Sequence, residues 1–159
     1  MIKDNIEMIV CMAANRVIGL HGRMPWEKPK EYHHFLQKID GHNLIFGRKN
    51  YNLNLSNNKL KEKSKKWLFF SRNSVDKNCY KNLDTFFNDF QMHEKYMVLG
   101  GEKIYELFLP YTRNLYLTIL DDEYDGDCFF PLHEHLSWEI VTQNRDEDEA
   151  WTYYHLKQS

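Results

Sequence analysis

Tyr96-Met97-Val98-Leu99-Gly100-Gly101-Glu102-Lys103-Ile104-Tyr105 is the stretch on which the fold turns. Tyr96 to Leu99 is short, apolar and nearly continuous, the character of a strand buried on both faces. Two glycines punctuate it. From Glu102 the period changes: Ile104, Tyr105, Phe108 and Leu109 fall at spacings that share one helical face, and Pro110 ends the run. Strand, glycine turn and helix make up the unit from which parallel sheets with right-handed crossovers are built. At such a turn bare backbone can approach a phosphate at the helix's positive end. The same dipeptide also makes a plain tight turn, and local context leaves both readings open.

Working outward, similar apolar runs occur at Glu7 to Ala13, Asn43 to Phe46, Trp67 to Ser71 and Asn114 to Leu120. Helical segments separate them. Pro29 suits a first helical turn and is followed without a breaker by Lys30 to Leu36, while Asp84 is a candidate cap for a helix over Thr85 to Phe90. Near the C-terminus, Trp138 to Gln143 and Trp151 to Lys157 flank the acidic run Asp146-Glu147-Asp148-Glu149, as an antiparallel hairpin would. The expected fold class is α/β: a mainly parallel central sheet of about eight strands with an antiparallel C-terminal hairpin strand and helices on both faces. No repeat, linker or compositional break interrupts the chain, so residues 1–159 are expected to form one domain.

The composition narrows the function. With 159 residues, 42% hydrophobic and 28% charged, the chain can build one packed core under a polar surface. A net charge of -2 argues against a protein that covers nucleic-acid phosphates, so a small-molecule partner is expected. No apolar run approaches the ~20 residues that cross a bilayer, and the first residues lack the apolar core of a secretory leader. Cys11, Cys79 and Cys128 are odd in number and far apart, which suits free thiols in the cytoplasm. Neither His33-His34 nor His133-x-His135 has a zinc site's spacing, and no metal is expected. Phe86, Phe87 and Phe90 read as core, and the lysine-rich run Lys59 to Lys66 as a solvated loop.

Three places could carry chemistry. The Gly100-Gly101 turn is one. Phe46-Gly47-Arg48-Lys49 is another: a strand ends where two fixed positive charges begin, fit for an extra phosphate or simply solvated. The third is the proline-framed Met24-Pro25-Trp26-Glu27-Lys28-Pro29-Lys30-Glu31. If Tyr32 and Phe35 line an apolar cleft, Glu31 is a carboxylate in low dielectric, with a raised pKa and a reason to grip an amidine-like group. A surface glutamate in a first helical turn is the plainer alternative.

Together these pieces resemble the dihydrofolate reductase family, in its order, from Ile6 to Leu156. The resemblance rests on Asn15-Arg16-Val17-Ile18-Gly19, Met24-Pro25-Trp26 with Glu31 five residues on, Gly47-Arg48, Val98-Leu99-Gly100-Gly101, Ile104-Tyr105, Leu117-Thr118, and Gly126-Asp127 with Phe130-Pro131. It implies reduction of 7,8-dihydrofolate with NADPH by a monomer. Glu31 would bond the pterin's 2-amino group and ring nitrogen, supported by Thr118, with Trp26 ordering a water and Met24 in the active-site loop. Ile9, Tyr32, Phe35 and Leu99 would wall the pterin and its benzoyl arm. Gly100, Gly101, Glu102, Lys103 and Ile104 would receive the cofactor's pyrophosphate, with Tyr105, Cys11, Ile18 and Gly19 toward the nicotinamide. Gly47, Arg48, Lys49, Asn50, Ser71 and Arg72 would hold the adenosine end and its 2′-phosphate, and Asp127 would contact the loop beginning near Ile18.

The sequence departs from the family pattern where an arginine usually forks onto the substrate's tail carboxylate. Lys65 is the nearest equivalent, a point charge in place of a fork. Asn50 stands where a threonine usually caps the cofactor helix, Cys128 replaces another threonine, and Val10-Cys11 replaces two alanines. Two other readings remain: a reductase of a tail-less pterin or a pyrimidine intermediate on this fold, and a non-catalytic ligand-binding relative.

Overall fold

The first strand sorts its side chains by parity, and the whole architecture follows from that alternation. In the computed structural model, which describes residues 1–73, 76–131 and 136–159, Met8, Val10 and Met12 enter one core and Ile9 enters another on the opposite face. The elements in chain order are β1 (Lys3–Met12), β2 (Val17–Gly19), α1 (Pro29–Lys38), β3 (Asn43–Gly47), α2 (Arg48–Leu53), α3 (Asn58–Lys63), β4 (Lys66–Phe70) and β5 (Cys79–Tyr80). They continue with α4 (Leu83–Asp89), β6 (Tyr96–Gly100), α5 (Glu102–Phe108), β7 (Thr112–Leu120), β8 (Cys128–Phe129), β9 (Trp138–Asp146) and β10 (Trp151–Gln158).

The main sheet has eight strands in the order β5-β4-β3-β6-β1-β7-β10-β9. β5 through β7 run parallel, and β10 and β9 add antiparallel at the far side. Helices α4 and α5 cover one face around Phe86, Ile104, Tyr105 and Phe108; α1 and α3 cover the other around Leu36, Ile39 and Leu60. The fold class expected from the sequence is thus the one found.

The topology also places the site. After β1 the chain moves outward to β3, whereas after β6 it crosses β1 to reach β7. Connections leave these two neighbouring strands in opposite directions, which opens a crevice beyond their carboxyl ends.

Two local expectations need correction. Helix α4 is capped by Asn82, not Asp84: the Asn82 side chain accepts from Thr85 N at 3.0 Å and Thr85 closes the reciprocal bond, leaving Asp84 in the first turn. The segment read as a solvated lysine loop instead forms α3, capped by Asn57, because Leu60 is drawn into the core. His133 and His135 lie outside the described residues.

A second, two-stranded sheet pairs β2 with β8. Asp127 N donates to the Gly19 carbonyl at 3.0 Å, and His21 N donates to Asp127 Oδ2 at 3.1 Å, so the loop after β1 is tied to the segment before β8. Gly126 sits where no side chain fits: a Cβ there would overlap Val17 Cγ1 and stand 2.7 Å from the Gly19 carbonyl oxygen. Gly126→Ala is therefore expected to cost about 1–3 kcal/mol of stability in urea unfolding, with faster amide exchange over Val17–Gly19.

Candidate active site

A cleft of about 900 Å³ crosses the carboxyl ends of β1, β3 and β6. Ile9, Cys11, Glu31, Tyr32, Phe35 and Leu99 line it in one region; Gly47, Arg48, Lys49, Gly101, Lys103 and Ile104 line another. Ile18, Met24, Asn50, Glu102 and Tyr105 also face it. Most of the residues singled out in the sequence thus meet in one cavity.

The glycine turn is built by Tyr105. Its hydroxyl donates to the Ile9 carbonyl at 2.9 Å and lies 3.0 Å from that of Leu99, so the ring is pinned beneath the turn. Gly100 has φ +98, and a Cβ there would stand 2.7 Å from the Tyr105 ring. Only glycine satisfies both the dihedral and the space. Gly101 is different: a Cβ on it would meet nothing within 4 Å, so its backbone is open to the cleft. Burial pushes the Tyr105 hydroxyl's pKa strongly upward, and it remains a neutral donor.

Glu31 sits in the first turn of α1 and is buried, with 6% of its surface exposed. Desolvation pushes its pKa up to about 7; a hydrogen bond with the Cys11 thiol opposes that, and the negative charge of Glu149 adds to it. Burial and the neighbouring carboxyl push the Cys11 thiol well up in turn, so it serves as a neutral donor. Thr118 is buried on β7 in register with Cys11, which itself contacts the acid. A second cavity of about 360 Å³, lined by Met24, Trp26, Lys28 and Pro29, shares Met24, Glu31 and Tyr32 with the cleft, so the carboxyl is approached from two sides.

Several expected residues sit otherwise. Lys65 is not in the cleft wall: its ammonium is 2.7 Å from Glu94, whose side chain is only 14% exposed and takes the nearest cation. Asn50 is not a cap; Gly47 holds that position, and Asn50 reaches from the first turn of α2 to donate to the Leu99 carbonyl at 3.1 Å. Ser71 stands 3.4 Å behind Arg48, and neither it nor Arg72 lines the cleft. Gly19 belongs to the small sheet beside it.

Asn54, Asn57 and Leu60 belong to the cleft wall but were not anticipated. The asparagines form a ladder: Asn54 donates to Asn50 Oδ1 at 2.9 Å, and Asn57 lies 3.3 Å from the Tyr32 hydroxyl and 3.4 Å from Asn54 Oδ1. The repeated asparagine spacing across α2 and α3 was the available signal.

A cleft with cations and exposed backbone in one region and a buried, readily protonated acid among aromatic walls in another fits an α/β oxidoreductase that brings two small ligands together. The dihydrofolate reductase family profile matches residues 5–158. The chain is 31% identical over 154 residues to a dihydrofolate reductase of Staphylococcus haemolyticus, covering 94% of this chain and 92% of that one. It is likewise 31% identical over 158 residues to one of Haemophilus influenzae, covering 92% and 91%. A solved structure, dihydrofolate reductase from Enterococcus faecalis complexed with NADP(H) and RAB-propyl, superposes with a TM-score of 0.80 at 20% identity over 99% of this chain and 98% of the other. This chain belongs to the dihydrofolate reductase family and is an NADPH-dependent oxidoreductase.

Proposed function

We propose that the cleft reduces 7,8-dihydrofolate to 5,6,7,8-tetrahydrofolate, with Glu31 as the group that grips and polarises the pterin. The observation that carries this assignment is the acid itself: a buried carboxyl with a pKa of about 7, in the same cavity as the open Gly101 backbone. The residues present fit NADPH. Gly101 leaves room for a pyrophosphate against backbone, and Arg48, Lys49 and Lys103 supply cations along the same wall. When bound, NADPH supplies the hydride that reduces C6 of the pterin.

The chain's own residues do the rest. Glu31 accepts from the pterin's 2-amino group and ring nitrogen, and the Cys11 thiol orients it. Ile9, Tyr32, Phe35 and Leu99 hold the ring and its arm in an apolar slot that excludes water. N5 lies across the ring from Glu31, so its proton comes from water rather than directly from the carboxyl. The cavity beside Trp26 reaches Glu31. Trp26 is buried, and its indole bears on the Cys11 thiol that contacts the acid. Asn57 and the Tyr32 hydroxyl, 3.3 Å apart in the cleft wall, serve in place of Lys65 as polar partners for the benzoyl arm. Free thiols at Cys11, Cys79 and Cys128 and the small negative charge suit a cytoplasmic monomer acting on small molecules.

The test follows NADPH absorbance with 7,8-dihydrofolate and, in parallel, with a tail-less dihydropterin. Turnover with dihydrofolate supports the reading; turnover confined to the tail-less pterin moves the substrate assignment there. The role of Arg48 gives a separate expectation. Arg48→Ala should raise the KM for NADPH by about 10- to 100-fold, the range of one lost charge-assisted contact, while leaving the weaker use of NADH nearly unchanged.

A further inference from the structure

The acidic turn between β9 and β10 takes no part in the cleft wall, yet it is wired to the residue on which the chemistry depends. Helix α1 begins without a side-chain cap of its own: Lys28 occupies the cap position and contributes none. The missing acceptor comes from the other end of the sequence. Glu149 Oε2 accepts from Lys30 N at 2.9 Å, and its Oε1 accepts from Glu31 N at 3.1 Å. The Trp151 indole N–H donates to the same Oε1 at 3.0 Å, and Lys28 Nζ donates to the Glu149 carbonyl at 2.7 Å. Lys30 Nζ closes the clamp on Asp148 at 2.6 Å, with Asp146 at 3.5 Å. Asp146 Oδ1 accepts from Glu149 N at 2.8 Å, which fixes the turn itself.

We propose that Glu149 is a positioning residue for Glu31, holding the acid's own backbone N–H and setting a fixed negative charge behind its carboxyl. The proposal rests on the role assigned to Glu31 above. A cap supplied from a remote hairpin fixes where the first turn of α1 begins, and a shift of about 1 Å there moves the carboxyl out of register with a bound ring. The charge acts through the ionisation of Glu31: a like charge nearby favours its protonated form. Desolvation would raise the pKa of Glu149, but its bonds from Lys30 N, the Trp151 indole and Glu31 N outweigh that and hold it below the ordinary range, so it is ionised at neutral pH. The other titratable groups that bear on Glu31 are Cys11 from β1 and Tyr105 from α5; Lys28 from the preceding loop bears on Cys11 and bonds the Glu149 carbonyl, Asp146 bears on Glu149, and Lys30 pairs with Asp146 and Asp148.

Steady-state kinetics on the full chain test this with Glu149→Gln and Glu149→Asp, and with Glu31→Gln alongside. Glu149→Gln keeps one acceptor oxygen and loses the charge. Glu31 then ionises more readily, so the fall of kcat with rising pH should move down by about half a pH unit, as for one like charge across a partly exposed boundary. KM for dihydrofolate should rise about 3- to 10-fold while that for NADPH stays within about 2-fold, since only the acid is displaced. Glu149→Asp keeps the charge on a shorter arm: the pH midpoint should return while the raised KM persists. A cap that merely stabilises the fold would lower the melting temperature and move neither midpoint nor KM, and that result from Glu149→Gln overturns the proposal. If Glu149→Gln does not fold, Glu149→Asp decides alone, and a wild-type KM for dihydrofolate overturns it. Full activity in Glu31→Gln removes the role of Glu31 and this proposal together; collapse there with wild-type behaviour in Glu149→Gln removes this proposal only.

Discussion

Glu31→Gln is expected to lose activity and gain stability in the same experiment. The amide can still accept one hydrogen bond but has no acid proton to supply through water to the pterin nitrogen, so kcat/KM for dihydrofolate should fall by about 100- to 1000-fold near neutral pH. The stability effect follows from the carboxyl's raised pKa, about 7 in the folded chain against an ordinary 4.5. Between those values the unfolded chain has released the proton while the folded chain keeps it, so wild-type stability falls as pH rises through this window. At roughly 1.4 kcal/mol per pH unit the full cost above pH 7 is about 3 kcal/mol. Glu31→Gln removes that cost, less whatever the buried amide leaves unsatisfied. It should therefore unfold at higher urea than wild type at pH 8, by about 1–3 kcal/mol, with the difference gone near pH 4.5. A variant equally stable at both pH values would show that the carboxyl is not desolvated as described.

The second large effect separates two adjacent glycines. Gly100→Ala places a methyl group 2.7 Å from a ring whose hydroxyl is fastened to Ile9 and Leu99, at φ +98. The ring cannot retreat without breaking a buried hydrogen bond, so a loss of about 3 kcal/mol or more is expected from chemical denaturation. Gly101→Ala meets nothing within 4 Å and should leave stability within about 0.5 kcal/mol of wild type. Its methyl projects into the cleft at the proposed pyrophosphate contact, so NADPH affinity, measured by fluorescence titration, should fall about 10-fold or more. Equal stability losses at the two positions would contradict the assignment of one glycine to the fold and the other to the ligand.

The contrast between these glycines also marks how far the sequence could be read. The turn was visible because an apolar strand, two glycines and a 3.6-residue period follow one another; which glycine supports Tyr105 was not visible, because that depends on a ring reaching back to β1. The same division holds elsewhere. Buried strands announced themselves as continuous runs, as at Leu44 to Phe46, whereas α2 and α3 are only six residues each, too short to show a helical period, and α3 is anchored by the burial of Leu60. Asn82 and Asp84 are both competent caps, and only the position of Thr85 chooses between them. Lys65 matched by position an arginine that reads a carboxylate, but a partly buried Glu94 captures it. Glu149 acts 118 residues from Glu31, and local pattern carries no trace of such a contact.

The most direct test of the central claim is the rate of NADPH oxidation by the wild-type chain on adding 7,8-dihydrofolate, followed across pH. The account predicts oxidation that requires both reactants and declines as pH rises through about 7, the pKa of the buried Glu31. No oxidation with dihydrofolate, or a rate indifferent to pH across that value, would contradict it.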